Sequence, residues 1–250
     1  MVNARQAKTA REKAAEMRAE AARKESRNRA IAIVAGVIAA IVVAVGAGIV
    51  IQIARHNQDA KEAAATAPPA NVTNNGFAMG KSEAKVTIEV YEDFICPACK
   101  NFEDLNGEQL AKWTADGTVK VEYHPVSILD RYSSTDYSTR ALNATAAVIN
   151  TKPESFEAFH TLLFANQPPE NSAGLSDDQL IDYAVQAGVE RAQVETDIRN
   201  LKYKNWTLKV ADDFSKKGFT GTPTVVVNGK QLDDYSTEKV KAAVEAAAKG

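Results

Sequence analysis

Cysteine is almost absent: a chain of 250 residues holds two, Cys96 and Cys99, and three histidines, His56, His124 and His160. A structural zinc site needs four ligands, usually a second Cys or His pair at fixed spacing, and neither a third cysteine nor a suitably spaced histidine exists. No metal site is expected, and no cofactor. With no third thiol, the pair also cannot be trapped in a wrong disulfide. Excess positive charge is missing from most of the chain. Residues 1–55 carry ten Lys/Arg and four Asp/Glu, whereas residues 56–250 carry twenty and twenty-eight. An acidic main part excludes a nucleic-acid partner, which would need a basic face. Internal repeats are absent as well. The length suits one or two domains, and 45% hydrophobic with 25% charged residues is enough for a sizeable core.

Long apolar runs are equally scarce, with one exception. Residues 30–54 read AIAIVAGVIAAIVVAVGAGIVIQIA, with Gln52 the only polar side chain. Roughly 20 apolar residues cross a hydrocarbon core, so this run is long enough to span a bilayer. It lies behind the charged leader 1–29, whereas a signal peptide has a shorter apolar region and a cleavage site near position 30. The expectation is an uncleaved anchor in the lipid bilayer. The leader holds nine Lys/Arg, which places it in the cytoplasm and residues 56–250 outside. Gly36/Ala40 and Ala44/Gly48 are small residues four apart that permit close helix approach, and Ala-rich spans also produce such pairs by chance.

Residues 55–80, rich in Ala, Asn, Pro and Gly without apolar periodicity, read as a linker. From Lys85 the texture changes. Val86, Ile88 and Val90 alternate with Lys85, Thr87 and Glu89, the pattern of a strand. FEDLNGEQLAKWTADG follows as a helix and TVKVEYHPV as a second strand. Residues 135–217 read as helices: Phe156, Phe159 and Leu163 share a face, which leaves His160 on the solvent side. Ser176 and Gln179 form a capping box, and the period beginning at Arg191 continues to Gly218. Then TPTVVVNGKQL reads as a strand, an Asn228-Gly229 turn and a returning strand, before a final helix. The fold class is α/β. Its expected parts are 81–134, a helical insertion at 135–217, and 218–250.

Two cysteines three positions apart suit a dithiol catalyst, half a metal site or an inert bridge. A bridge closing so small a loop adds little stability. Pro97 follows Cys96 and fits the first turn of a helix, so Cys96 lies at a helix N-terminus, where amide dipoles favour a thiolate. Cys96 is then the exposed, attacking thiol and Cys99 the resolving one. Outside a membrane such a pair can be held oxidised.

DFICPACKNF after a first strand, GTPTVVVNG far downstream and FEAFHTLLFANQP between them resemble the DsbA-like thiol–disulfide oxidoreductases of the thioredoxin superfamily, over residues 77–250. An anchored form with a basic N-terminus resembles those of Gram-positive actinobacteria. The resemblance implies a thioredoxin fold interrupted by helices, with a single N-terminal transmembrane helix before it. It implies that Pro223 is cis beside the cysteines and that the backbone of Thr222 pairs with substrate. Pro97 and Ala98, between the cysteines, are implied to tune the redox potential. Exported cysteine-containing proteins are the implied substrates, and a quinone-linked membrane protein of the DsbB or vitamin-K-reductase kind the implied reoxidant. Where many relatives carry a buried acid this chain has Val90, and alternation puts Glu89 on the opposite face. Glu92 and Asp93 read equally as acids acting through water or as solvated loop residues. Nothing around His124 or His160 suggests a Cys-His hydrolase.

Overall fold

The computed structural model describes residues 67–249. The leader 1–29, the expected span 30–54 and most of the expected linker lie outside the described residues. Among the described residues no helix is long and apolar enough to cross a membrane.

Five strands form one sheet in the order β1-β3-β2-β4-β5. They are β1 (Phe77–Met79), β2 (Val86–Glu92), β3 (Val119–Pro125), β4 (Thr224–Val227) and β5 (Lys230–Gln231). β2 and β3 are parallel and joined through α1 (Pro97–Asp116), because parallel neighbours need a crossover that a tight turn cannot supply. β4 returns antiparallel on the other side of β2, and the Asn228-Gly229 turn sends β5 back along it. Both turn residues have positive φ, at 45° and 80°, as this type of hairpin requires. α7 (Thr237–Lys249) closes the chain. Val86, Ile88 and Val90 are fully buried while Thr87 and Glu89 are partly exposed, so the alternation read from the sequence is the alternation of the sheet. These valines and isoleucines pack with Phe102 and Leu110 of α1 and with Val240 and Val244 of α7.

Between β3 and β4 lie α2 (Tyr137–Thr151), α3 (Phe156–Ala165), α4 (Asp177–Gln186), α5 (Arg191–Arg199) and α6 (Lys204–Lys216). The capping box at Ser176 is complete, its hydroxyl accepting from the Gln179 amide and the Gln179 side chain accepting from the Ser176 amide. A second core cluster unites these helices with Phe94, Ile95, Cys96 and Cys99. The cysteines therefore belong to the core that joins the insert to the sheet, and Cys96, expected to be exposed, is buried at 6% exposure.

Three further expectations are corrected. The linker does not run to residue 80, because Phe77–Met79 pairs with β3 and Phe77 packs on Phe156 at 4.7 Å. Three residues are too few to show alternation, and Asn71, Asn74 and Asn75 take left-handed conformations that asparagine tolerates. Asn75 is also tied down, donating to Asp213 at 2.6 Å and accepting from the Trp206 indole at 3.2 Å. Second, the helical period from Arg191 breaks at Leu201, whose φ is +49°. Buried Asn143 heals the break: its Nδ2 donates to the carbonyls of Asp197 and Ile198, and its Oδ1 accepts from the Tyr203 amide. Third, His160 does not face solvent. It is 3% exposed, because the buried stripe of α3 spans Phe156, Phe159, His160, Leu163 and Phe164.

Candidate active site

Cys96 is the N-cap residue of α1, in extended conformation, with Pro97 at the first helical position. Proline is at home there, since its missing N–H is one of the amides a first turn leaves unpaired. The Cys96 carbonyl starts the helix by accepting from the amides of Cys99 at 3.1 Å and Lys100 at 3.2 Å. Its Sγ donates to the Thr222 carbonyl at 3.3 Å, and the Thr222-Pro223 peptide is cis. Cysteine pair and downstream Thr-Pro, 126 residues apart, thus meet at one point. Ala98 is half-buried against the core cluster.

The two sulfurs differ in kind. The hydrogen bond from the Cys99 thiol, with help from Thr222 and the Cys99 and Ala98 amides, outweighs burial and brings the Cys96 pKa down to about 6. Burial pushes the Cys99 thiol well above its ordinary value, and the Cys96 sulfur and the Glu92 charge push it the same way. The Asp93 amide points at the Cys99 sulfur at 3.4 Å. One thiol is thus prepared to be a thiolate and the other to hold its proton.

Asp93, three residues before Cys96, is fully buried and not a solvated loop residue. Its Oδ1 accepts from the Ile95 amide at 3.1 Å and the Ser138 hydroxyl at 2.6 Å, and its Oδ2 from the Ile128 and Leu129 amides, both at 3.0 Å. Burial pushes its pKa up to about 7 against the pull of those donors. The carboxyl binds the turn before the cysteines to α2 and to the loop after β3. Glu92 is also fully buried, hydrogen-bonded to His160 Nε2. Burial alone would lower the His160 pKa, but the Glu92 and Glu103 carboxylates more than offset it and hold it at about 9. Val90 sits in the apolar core of β2, and Glu89 on the other face accepts from the Tyr91 hydroxyl at 2.6 Å. His124 is buried and stacks on Tyr91 with ring centroids 4.5 Å apart. Neither His124 nor His160 hydrogen-bonds a cysteine.

Gln167, unassigned in the sequence, donates to the carbonyls of Phe94 at 3.2 Å and Cys96 at 2.9 Å. Its only signal was its place in FEAFHTLLFANQP. A cavity of about 560 Å³ opens beside Cys96, walled by Ile128, Leu129, Phe214, Phe219 and Thr222, with Arg131 at its rim.

Residues 72–246 match the family described as Thioredoxin. The chain belongs to the thioredoxin family. Within it the likeness is to the DsbA-like branch. The crystal structure of reduced DsbA from Mycobacterium tuberculosis is 31% identical, with a TM-score of 0.59 over 70% of this chain and 98% of that one. Disulfide bond formation protein D of Bacillus subtilis is 28% identical over 177 residues, 69% of this chain and 77% of its own length. The serine/threonine-protein kinase PknE of Mycobacterium tuberculosis is 35% identical over 124 residues, 48% of this chain but only 22% of the kinase. The chain thus spans about a fifth of the length of that curated relative.

Proposed function

We propose that this protein is an extracytoplasmic thiol–disulfide oxidoreductase that introduces disulfides into exported proteins through Cys96 and Cys99. The observation that carries the reading is the asymmetry of the two thiols, one drawn down to about 6 and the other pushed well above its ordinary value. In the oxidised enzyme a substrate thiolate attacks the Cys96 sulfur. The Cys96–Cys99 bond breaks, and Cys99 leaves and takes up a proton, as its high pKa favours. A second substrate thiolate then attacks the substrate sulfur of the mixed disulfide. Cys96 leaves as a thiolate, a low-pKa and therefore fast leaving group. Two substrate thiols are oxidised and one enzyme disulfide is reduced. The contact between Cys96 Sγ and the Thr222 carbonyl supports a role for that backbone in pairing with substrate, and the apolar walls around Ile128 and Phe219 suit an unfolded segment.

The apolar run 30–54 and its basic flank support a single-pass anchor with the catalytic domain outside the cell membrane. Reoxidation of the dithiol belongs to a quinone-linked membrane protein. The deciding experiment is the reduction potential, by thiol trapping in graded glutathione buffers. A value near about −120 mV, as in strong oxidants, supports disulfide donation, and one near about −270 mV makes the protein a reductase.

A further inference from the structure

Three chain segments bring Glu92 of β2, Glu103 of α1 and His160 of α3 together. One donor atom from each lies within 4.8 Å of the others. The Glu92–His160 contact uses a single oxygen of Glu92. Its other oxygen, Oε2, and Oε1 of Glu103 are buried and have no hydrogen-bond partner among the described residues. Native proteins pair nearly all such atoms, so two orphans in one cluster ask for an occupant. A cavity of about 300 Å³ leads inward to Glu103 and His160. Asp104, Glu108 and Glu157 also line it, and among the described residues no lysine or arginine does. An acidic mouth over a low-dielectric wall concentrates cations.

We infer that Glu92, Glu103 and His160 form a binding site for one zinc ion. One imidazole nitrogen and two carboxylate oxygens, with a position left open to the cavity, are a donor set zinc accepts. Tetrahedral bonds of about 2.0–2.2 Å require the Glu92–His160 contact to open and Glu103 to close on the pair, movements that rotation of the two carboxylate side chains would supply. The ion displaces the proton between Glu92 and His160 and the one that burial keeps on Glu103, and it takes up the orphan oxygens. Calcium is a poor fit, since it takes six to eight oxygens and no nitrogen. The bound ion clips the insert to β2 and α1 at the base of the dithiol turn. The site uses neither sulfur as a ligand and does not rest on the redox reading.

The test is zinc titration of the full chain with its dithiol oxidised, so that the thiols cannot chelate, followed by calorimetry. The expected result is one equivalent bound, a Tm that rises with zinc concentration, and unchanged binding in the C96S/C99S double variant. E103Q and H160A should each weaken binding at least tenfold, roughly what loss of even an outer-shell partner causes. Glu103 is partly exposed, so E103Q keeps the test sound if H160A fails to fold. No bound zinc, binding undiminished in E103Q, or tighter binding of calcium or magnesium than of zinc would each overturn the assignment.

Discussion

At Cys96 a few contacts set the chemistry, and they are local enough to test one residue at a time. With its pKa at about 6, the reduced enzyme should react with iodoacetamide at a rate that rises with pH and is half-maximal near pH 6. Cys99 should stay unlabelled through neutral pH, because burial holds its proton on. Mass spectrometry of the alkylated peptide separates the two, and a midpoint near pH 9 would remove the basis for a stabilised thiolate. Asp93 gives a second test. Asp93→Ala strips the acceptor from three backbone amides and the Ser138 hydroxyl, and unsatisfied buried groups cost about 1–3 kcal/mol each. Water can reach some of them, so a loss of about 3–5 kcal/mol in guanidinium denaturation is expected. A loss under 1 kcal/mol would mean the turn does not depend on this carboxylate. The cysteine pair and the N-terminal proline were legible from spacing alone. Asp93 was not, because its partners Ile128, Leu129 and Ser138 lie 35 to 45 residues away.

Elements with enough residues to show a period were legible; those defined by contact were not. β2 spans seven residues and declares itself by alternation, whereas β1 has three and is a strand because β3 lies beside it. The break between α5 and α6 is set by Asn143, 60 residues before Tyr203, so the continuous apolar period concealed it. His160 was misplaced because three apolar positions define a stripe narrower than the face a packed helix buries. The approach to β1 also carries a prediction. A Cβ at Gly76 would lie 2.4–2.7 Å from three ring atoms of His124, and that ring is held by its stack on Tyr91. Gly76→Ala should therefore destabilise the fold by about 1–3 kcal/mol through overpacking. Thermal denaturation measures it, and an unchanged Tm would show that the segment before β1 can lift away freely.

Over the whole molecule, ionisation of Cys96 links redox state to folding. Its pKa falls from 9.0 to about 6 on folding, so the folded reduced state gains stability as pH rises above about 6. The gain reaches its full size near pH 9 and is lost as pH falls through 6. At pH 7 it amounts to about 1.4 kcal/mol, equivalent to about 30 mV of oxidising potential. Above pH 9 the raised Cys99 pKa acts in the opposite sense. The oxidised protein has neither thiol. The stability of the reduced form minus that of the oxidised form should therefore grow by about 1.4 kcal/mol between pH 7 and 8. Paired denaturant titrations of the two forms read this difference directly, and a pH-independent gap would contradict it. The order of β2 to β5, the presence of the helical insert and the hairpin were legible in the chain, whereas β1 and the split between α5 and α6 were not. The sharing of one core cluster by the insert and both cysteines was not, since no local pattern records which helix covers which turn.

Gln167 stands just past the end of α3 and holds the carbonyls of Phe94 and Cys96 with one side-chain amide. The insert is therefore not a cassette that can be exchanged while the dithiol turn stays as it was. Adding or deleting a residue between Ala165 and Pro168 would move that amide off both carbonyls. The helical insert and the motif it touches are thus bound to change together in any lineage that keeps this site.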